Sequence, residues 1–316
     1  MLNSEDSIAV ASRSFSSNTF LRAALLDKFP NSVFNETGLT LAGESLVKFL
    51  QGHVAAITAL EIVDRRLLEK LPKLKVLSKY GVGLDMVDLE ALHDFGVLLG
   101  WAPGVNRRSV SELVVSTAIS LLHKVPSAER DLRKGIWKQH RGRQLTGRTV
   151  GVVGCGSIGK DVVTLLKPFS CNIIAFDKID YEDFFRENGV VLADLHTLLS
   201  QSDVVTVHLP LDDSTRNILN EDNLSYLKES AIFINYSRGG IVDEHCLHRM
   251  MSSSRIGAIA LDVYVSEPVI NHELFEFDNA IFTPHIGGST EEAVLAMGLA
   301  AIEGLLGAKD PLSFKE

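Results

Sequence analysis

Three cysteines in 316 residues are too few for a disulfide framework, and Cys155, Cys171 and Cys246 show no metal-ligand spacing. Neither disulfides nor a metal site is expected. No apolar run is long enough to span a bilayer. The segment Met1–Asp6 is polar and acidic rather than basic then apolar, so no signal peptide is evident. Positive charge is also scarce: 31 Lys and Arg stand against 40 Asp and Glu, a net charge of −9. That balance argues against nucleic acid or an anionic membrane as the main partner. Basic residues do gather between Arg130 and Arg148, where a solvated face is the simpler reading and an anion or subunit contact the other. Internal repeats and low-complexity linkers are absent. What is present is a hydrophobic content of 46%, ample for two buried cores in a chain of this length. A soluble, cytoplasmic protein is expected.

Strand and helix patterns alternate from end to end, which predicts an α/β fold built on doubly wound parallel sheets. In the first third, strands are expected at Ser7–Ala11, Val54–Ile57, Lys75–Ser78 and Val97–Gly100, with helices at Asn18–Lys28 and Asp64–Leu71. After the Pro103–Asn106 turn, Ser109-Val110-Ser111-Glu112 reads as a capping box opening a helix to about Lys124, which Pro126 interrupts or restarts. A second unit follows, with six strands expected at Val150–Val153, Ile173–Phe176, Val204–His208, Ala231–Asn235, Ala258–Asp262 and Ala280–Thr283. The last helix, Ser289 to about Leu306, has no strand after it and is expected to pack back on the first unit. The expected domains are therefore residues 1–103 plus 290–316, and residues 104–289, with a cleft between two Rossmann-like or flavodoxin-like units.

The most informative segment is Thr149–Val153 running into Gly154-Cys155-Gly156-Ser157-Ile158-Gly159. An apolar strand, a Gly-x-Gly-x-x-Gly turn and a helix make a dinucleotide site. The first glycine allows the turn, the second admits a pyrophosphate, and the third lets helix and strand lie close. About eighteen residues beyond Gly159, the run Ile173–Phe176 stops at Asp177. A carboxylate there bonds the adenine ribose and repels a 2′-phosphate, favouring NAD, with Lys178 tempering the preference slightly.

Three further segments each sit where a parallel strand ends, the ligand-binding side of such sheets. Asn235–Gly240 offers Arg238, Leu261–Pro268 offers Asp262 and Glu267, and Thr283–Ser289 offers His285. This set suits oxidation of a 2-hydroxy acid. A guanidinium grips a carboxylate bidentately. Imidazole takes the hydroxyl proton while hydride leaves the same carbon. A neighbouring carboxylate orients the imidazole and favours its protonated form.

Over nearly its whole length the chain resembles the D-isomer-specific 2-hydroxyacid dehydrogenases. The resemblance rests on Pro72–Val76, Tyr80–Asp85, Pro103–Asn106 with Ser109–Leu113, the glycine turn, His208–Leu211, Ser237–Gly240, Asp262–Pro268 and Pro284–Gly288. It implies that Arg238 binds the substrate carboxylate, that Glu267 partners His285, and that His285 is the acid–base. It further implies that Val82 and Gly83 hold the carboxylate through backbone N–H groups, with Asn106 nearby. Asp262 would contact the nicotinamide carboxamide, and the Pro210 segment would line the adenine pocket. His208 is read as structural or as an adenine-pocket residue, and Ser237 and Gly287 complete the cofactor contacts with Gly154, Gly156, Ser157, Ile158, Gly159 and Asp177. Trp137 would reach the other subunit of a homodimer, standing alone or paired into a tetramer; burial inside its own subunit is the alternative.

Within that family the chain looks most like the phosphoglycerate dehydrogenase branch, which serves serine biosynthesis, in a short form without a regulatory domain. One departure matters. The branch's phosphate-binding Arg-Ser pair is replaced by Thr58-Ala59-Leu60-Glu61, so a phosphate would need Lys79, Arg107, Arg108 or a partner's Lys138 or Arg141. Reductases of glyoxylate, hydroxypyruvate or another small 2-keto acid are the second reading. A nicotinamide-sensing corepressor is a remote one, and a formate dehydrogenase makes no use of a histidine–glutamate pair.

Overall fold

A computed structural model of the protein describes residues 2–315. The chain divides into two compact units. One comprises the chain up to Asn106 together with the stretch from Glu291 onwards; the other is Arg107–Thr290.

The first unit holds a five-stranded, all-parallel sheet: β1 (Ile8–Val10), β2 (Val33–Phe34), β3 (Ala55–Thr58), β4 (Val76–Lys79) and β5 (Leu98–Gly100), in the order β2-β1-β3-β4-β5. This is the flavodoxin-like order, with a switch point between β1 and β3. Strands β1, β3 and β4 are buried along their full lengths, as strands covered on both faces must be. The helix Glu291–Leu306 belongs to this unit. Ser78 Oγ donates to Ala301 O at 2.6 Å, and a Cβ on Gly100 would lie 2.2 Å from Gly304 O, so helix and sheet meet backbone to backbone.

The second unit carries seven parallel strands: β6 (Thr149–Val153), β7 (Asn172–Phe176), β8 (Val190–Leu192), β9 (Val204–Val207), β10 (Ile232–Asn235), β11 (Ala258–Leu261) and β12 (Ala280–Phe282). Their order is β12-β11-β10-β9-β6-β7-β8, with the switch point between β6 and β9. Two apolar layers cover the sheet, one built around Phe233, Leu198 and Leu247, the other around Val152, Ile234 and Val114.

Several expectations need correction. Seven strands replace the expected six in the second unit, because β8 is a short edge strand that leaves Val191 and Leu192 exposed. In the first unit the two-residue edge strand β2 and the helices Arg13–Ser17 and Gly43–Leu50 were not foreseen. The helix Asp64–Leu71 shrinks to Arg65–Leu68, with the Asp64 side chain as N-cap. The capping box at Ser109 does not form. The helix starts at Arg107, so Ser109 lies inside it, and Ser109 Oγ donates instead to Gly287 O at 2.5 Å. That helix ends at Leu122. Lys124 turns left-handed (φ 57°), and a new helix, Val125–Arg133, starts with Pro126 in its first turn. No helix among the described residues is long and apolar enough to cross a membrane.

Candidate active site

The glycine turn lies at the carboxyl end of β6, at the switch point, where such sheets take ligands. Two of its glycines are demanded by the protein's own packing. Gly154 adopts φ +91°, and a Cβ there would lie 2.8 Å from the His208 carbonyl carbon; on Gly159 it would lie 2.3 Å from Gly154 O. Gly156 differs, since a Cβ there would meet open space. The protein does not need that glycine, whereas a phosphate approaching the start of the helix Ser157–Leu166 does. Asp177, past β7, organises the turn: one carboxylate oxygen accepts Cys155 N–H at 2.6 Å and the other Ile179 N–H at 2.9 Å. Cys155 is fully buried, and burial beside the Asp177 charge pushes its thiol up to about 12, so it fills space and does not titrate in the neutral range. His208, just past β9, shares Nε2 with Thr206 Oγ1 at 2.9 Å. Burial lowers its pKa to about 3, and its Nδ1 is buried without a hydrogen-bond partner among the described residues. An open glycine and an orphaned ring nitrogen fit a bound dinucleotide. Pro210 is exposed and its carbonyl accepts Thr215 Oγ1 at 2.6 Å.

The three chemistry-bearing side chains come from the ends of three adjacent strands, β10, β11 and β12. Asn235, the last residue of β10, builds the turn behind it. Its Oδ1 accepts Ser237 N–H (3.2 Å) and Ser237 Oγ (2.8 Å), while Nδ2 donates to Arg238 O at 2.9 Å. Arg238 follows, with Nη1 donating to Ser237 O at 2.7 Å. Gly239 then passes so close to the β11 exit that a Cβ would lie 1.9 Å from Tyr264 O. The loop carrying Arg238 is thus seated directly on the loop carrying Glu267. Sequence reasoning missed Asn235 and Gly239, because neither is chemically reactive.

Glu267 Oε1 accepts Tyr264 N–H at 3.0 Å, and Oε2 meets His285 Nδ1 at 2.8 Å. Partial burial works to raise the Glu267 pKa. The bonds from His285 and the Tyr264 N–H, together with the charges of His285 and Arg238, outweigh burial and hold it below the usual glutamate value. His285 sits at φ +55°, a left-handed conformation uncommon for a residue with a side chain. Asp262 imposes it: its carboxylate accepts Thr283 Oγ1 (2.6 Å), Ile286 N–H (2.7 Å) and Gly287 N–H (2.7 Å). Asp262 therefore organises the turn that presents His285.

The sequence-predicted residues Lys79, Val82, Gly83 and Asn106 lie in the first unit. Lys79 ends β4, is buried, and its Nζ donates to Ala59 O at 2.5 Å. Val82 and Gly83 follow it on a half-buried loop; Val82 O accepts Trp101 Nε1 at 3.0 Å. Asn106 is only 8% exposed, and its Oδ1 has no hydrogen-bond partner among the described residues. Trp137, in the second unit, is 83% exposed and so is not buried within its own chain.

Residues 115–287 match the model of the D-isomer specific 2-hydroxyacid dehydrogenase, NAD binding domain. The chain belongs to that family. It is similar to the D-3-phosphoglycerate dehydrogenase of Methanocaldococcus jannaschii, with 37% identity over 84% of this chain and 51% of the relative. It is also similar to the hydroxypyruvate reductase of Thermotoga maritima, with 32% identity over 83% of this chain and 87% of the relative. The chain thus spans about half the length of the phosphoglycerate dehydrogenases it matches. Among solved structures, a D-isomer specific 2-hydroxyacid dehydrogenase of Polaromonas superposes with a TM-score of 0.87 at 26% identity, covering 96% of both chains.

Proposed function

We propose that the protein is an NAD-dependent oxidoreductase of D-2-hydroxy acids, with His285 as acid–base, Glu267 as its partner and Arg238 as the grip on the substrate carboxylate. The single observation that carries this reading is the 2.8 Å bond between His285 Nδ1 and Glu267, beside an arginine turn seated on the same loop. Nicotinamide, when bound, supplies the hydride acceptor or donor. Ser157, Ile158 and the glycine turn would hold the dinucleotide's pyrophosphate, Asp177 its adenine ribose, and His208, Pro210 and Ser237 would line the remainder. Because Glu267 occupies Nδ1, His285 exchanges the substrate proton at Nε2. The first unit offers Val82 and Gly83 N–H groups and Asn106 as its own candidate contacts for a carboxylate. The exposed Trp137, with Leu132 and Ile136 exposed near it in sequence, supports a homodimer formed through this arm.

The first unit favours an unphosphorylated acid. Glu61, 2% exposed, accepts Ala59 N–H at 2.6 Å, while Lys79 donates to the same residue's carbonyl. The lysine charge is committed beside a buried carboxylate, a poor setting for a phosphate dianion. In the second unit Arg108 is paired too, with Asp161 at 2.8 Å. D-3-phosphoglycerate, the first reading of the sequence, becomes the second here, favoured by the names of the phosphoglycerate dehydrogenases the chain is similar to.

The test is NADH oxidation against hydroxypyruvate, glyoxylate, pyruvate, 2-ketoglutarate and 3-phosphohydroxypyruvate. Hydroxypyruvate or glyoxylate is expected to exceed the phosphorylated acid in kcat/KM by about tenfold or more, a difference of ~1.4 kcal/mol. The opposite order restores the phosphoglycerate reading, and no turnover of any acid ends the proposal. NADPH in place of NADH should lower kcat/KM, since Asp177 repels a 2′-phosphate.

The depressed Glu267 pKa has a pH signature. Its stabilisation is fully present above the usual glutamate pKa, ~4.3, and is lost as pH falls through its lower folded value. The Tm difference between wild type and Glu267→Gln should therefore not narrow between pH 8 and about pH 5. A gap already closing near pH 6 would mean that the native carboxyl is protonated there.

A further inference from the structure

Behind the Glu267–His285 pair stands a second histidine–carboxylate pair that the proposed chemistry does not use. Glu244 is the first residue of the helix Glu244–Ser252. Its carboxylate accepts Val265 N–H through Oε1 at 3.0 Å and meets His272 Nε2 through Oε2 at 2.8 Å. Their side chains are only 11% and 16% exposed. Val265 opens, and His272 closes, the loop that carries Glu267. One largely buried carboxylate thus ties both ends of that loop to a helix, while Ile270 between the anchors stays exposed.

The histidine tautomer is set by the same geometry. Leu274 N–H donates to His272 Nδ1 at 3.2 Å, so that nitrogen carries a lone pair and Nε2 carries the proton it gives to Glu244. The His272 ring packs against Tyr264 and Phe275, with ring centroids 5.9 and 5.6 Å away. Tyr264 is the residue whose N–H holds Glu267 Oε1. A chain of direct contacts therefore runs from the helix through Glu244, the loop ends and Tyr264 to the carboxylate that orients His285.

We propose that Glu244 and His272 are positioning residues for the hydride-transfer reaction: they fix the loop so that Glu267 stays in register with His285. The inference rests on the assignment of Glu267 and His285 given above. A loosened loop lets Glu267 leave Nδ1, which lowers kcat more than it changes how cofactor or substrate is held, because Asp177 and the glycine turn lie outside it and the Arg238 turn meets it through Gly239 at Tyr264, ahead of the Val265 anchor.

Two substitutions of His272 separate its two bonds. Asparagine keeps an acceptor for Leu274 N–H and loses reach to Glu244; glutamine reaches Glu244 and gives up the Leu274 bond. His272→Asn and Glu244→Gln should lower kcat about tenfold, with the KM of the keto acid and the Kd of NADH within twofold of wild type, whereas His272→Gln retains most of the rate. In a double-mutant cycle, His272→Asn should add little to the loss already caused by Glu267→Gln, since both act on one pair. Wild-type kcat in folded His272→Asn and Glu244→Gln, or losses that multiply fully with Glu267→Gln, would overturn the proposal. His285→Ala serves as the control: if it stays active, the underlying site assignment has failed; if it is inactive while His272→Asn is normal, only the positioning role has.

Discussion

Replacing His285 by alanine is expected to lower kcat on the order of a hundredfold or more, with NADH affinity unchanged. The imidazole is the group that exchanges the hydroxyl proton in the proposed site, and the cofactor contacts come from elsewhere in the same unit. Separation of the two effects follows from the fold. His285 hangs on the β12 exit, held by Asp262 through Ile286 and Gly287 N–H, while the glycine turn and Asp177 sit across the switch point on β6 and β7. Steady-state kinetics with NADH-fluorescence titration provides the check. Near-normal turnover would remove His285 from the acid–base role.

The second large effect is expected at a residue with no side chain. In Gly239→Ala the new methyl would lie 1.9 Å from Tyr264 O and 2.1 Å from its carbonyl carbon, a clash with main chain that no rotamer relieves. One of the two loops must move, separating Arg238 from Glu267. Overpacking of this kind costs ~1–3 kcal/mol of stability, and misplacement of a reacting group by about 1 Å costs on the order of a hundredfold in rate. Gly240→Ala is the contrast. That glycine has φ +80° but its nearest neighbour is 3.7 Å away, so strain without a clash should cost less. Equal and small losses of kcat/KM in the two folded variants would contradict the seating of one loop on the other.

Much of this was legible in the residues themselves. Strands β6, β7, β9, β10 and β11 are runs of β-branched and other apolar residues buried on both faces, and such runs announce parallel strands without any tertiary information. The glycine turn and the Arg238, Glu267 and His285 segments were visible because their chemistry and spacing are local. The edge strands β2, of two residues, and β8, of three, were not, although the equally short edge strands β5 and β12 were. Ser109 and Glu112 carried the spacing of a capping box, but the serine hydroxyl finds the Gly287 carbonyl and the helix starts two residues earlier. Asp262 was read as a cofactor contact; its three bonds to the Thr283–Gly287 turn stand beside that reading and depend on the parallel pairing of β11 with β12. Glu244 and His272 lie 28 residues apart on a helix and a loop, and only the folded chain brings them together.

The most direct measurement is the fate of deuterium from NADH labelled at nicotinamide C4 on the transferring face. The account predicts that wild-type protein places the label on C2 of the product, that the product has the D configuration, and that His285→Ala loses this transfer while still binding NADH. Label that never reaches C2, or a product of L configuration, would contradict it.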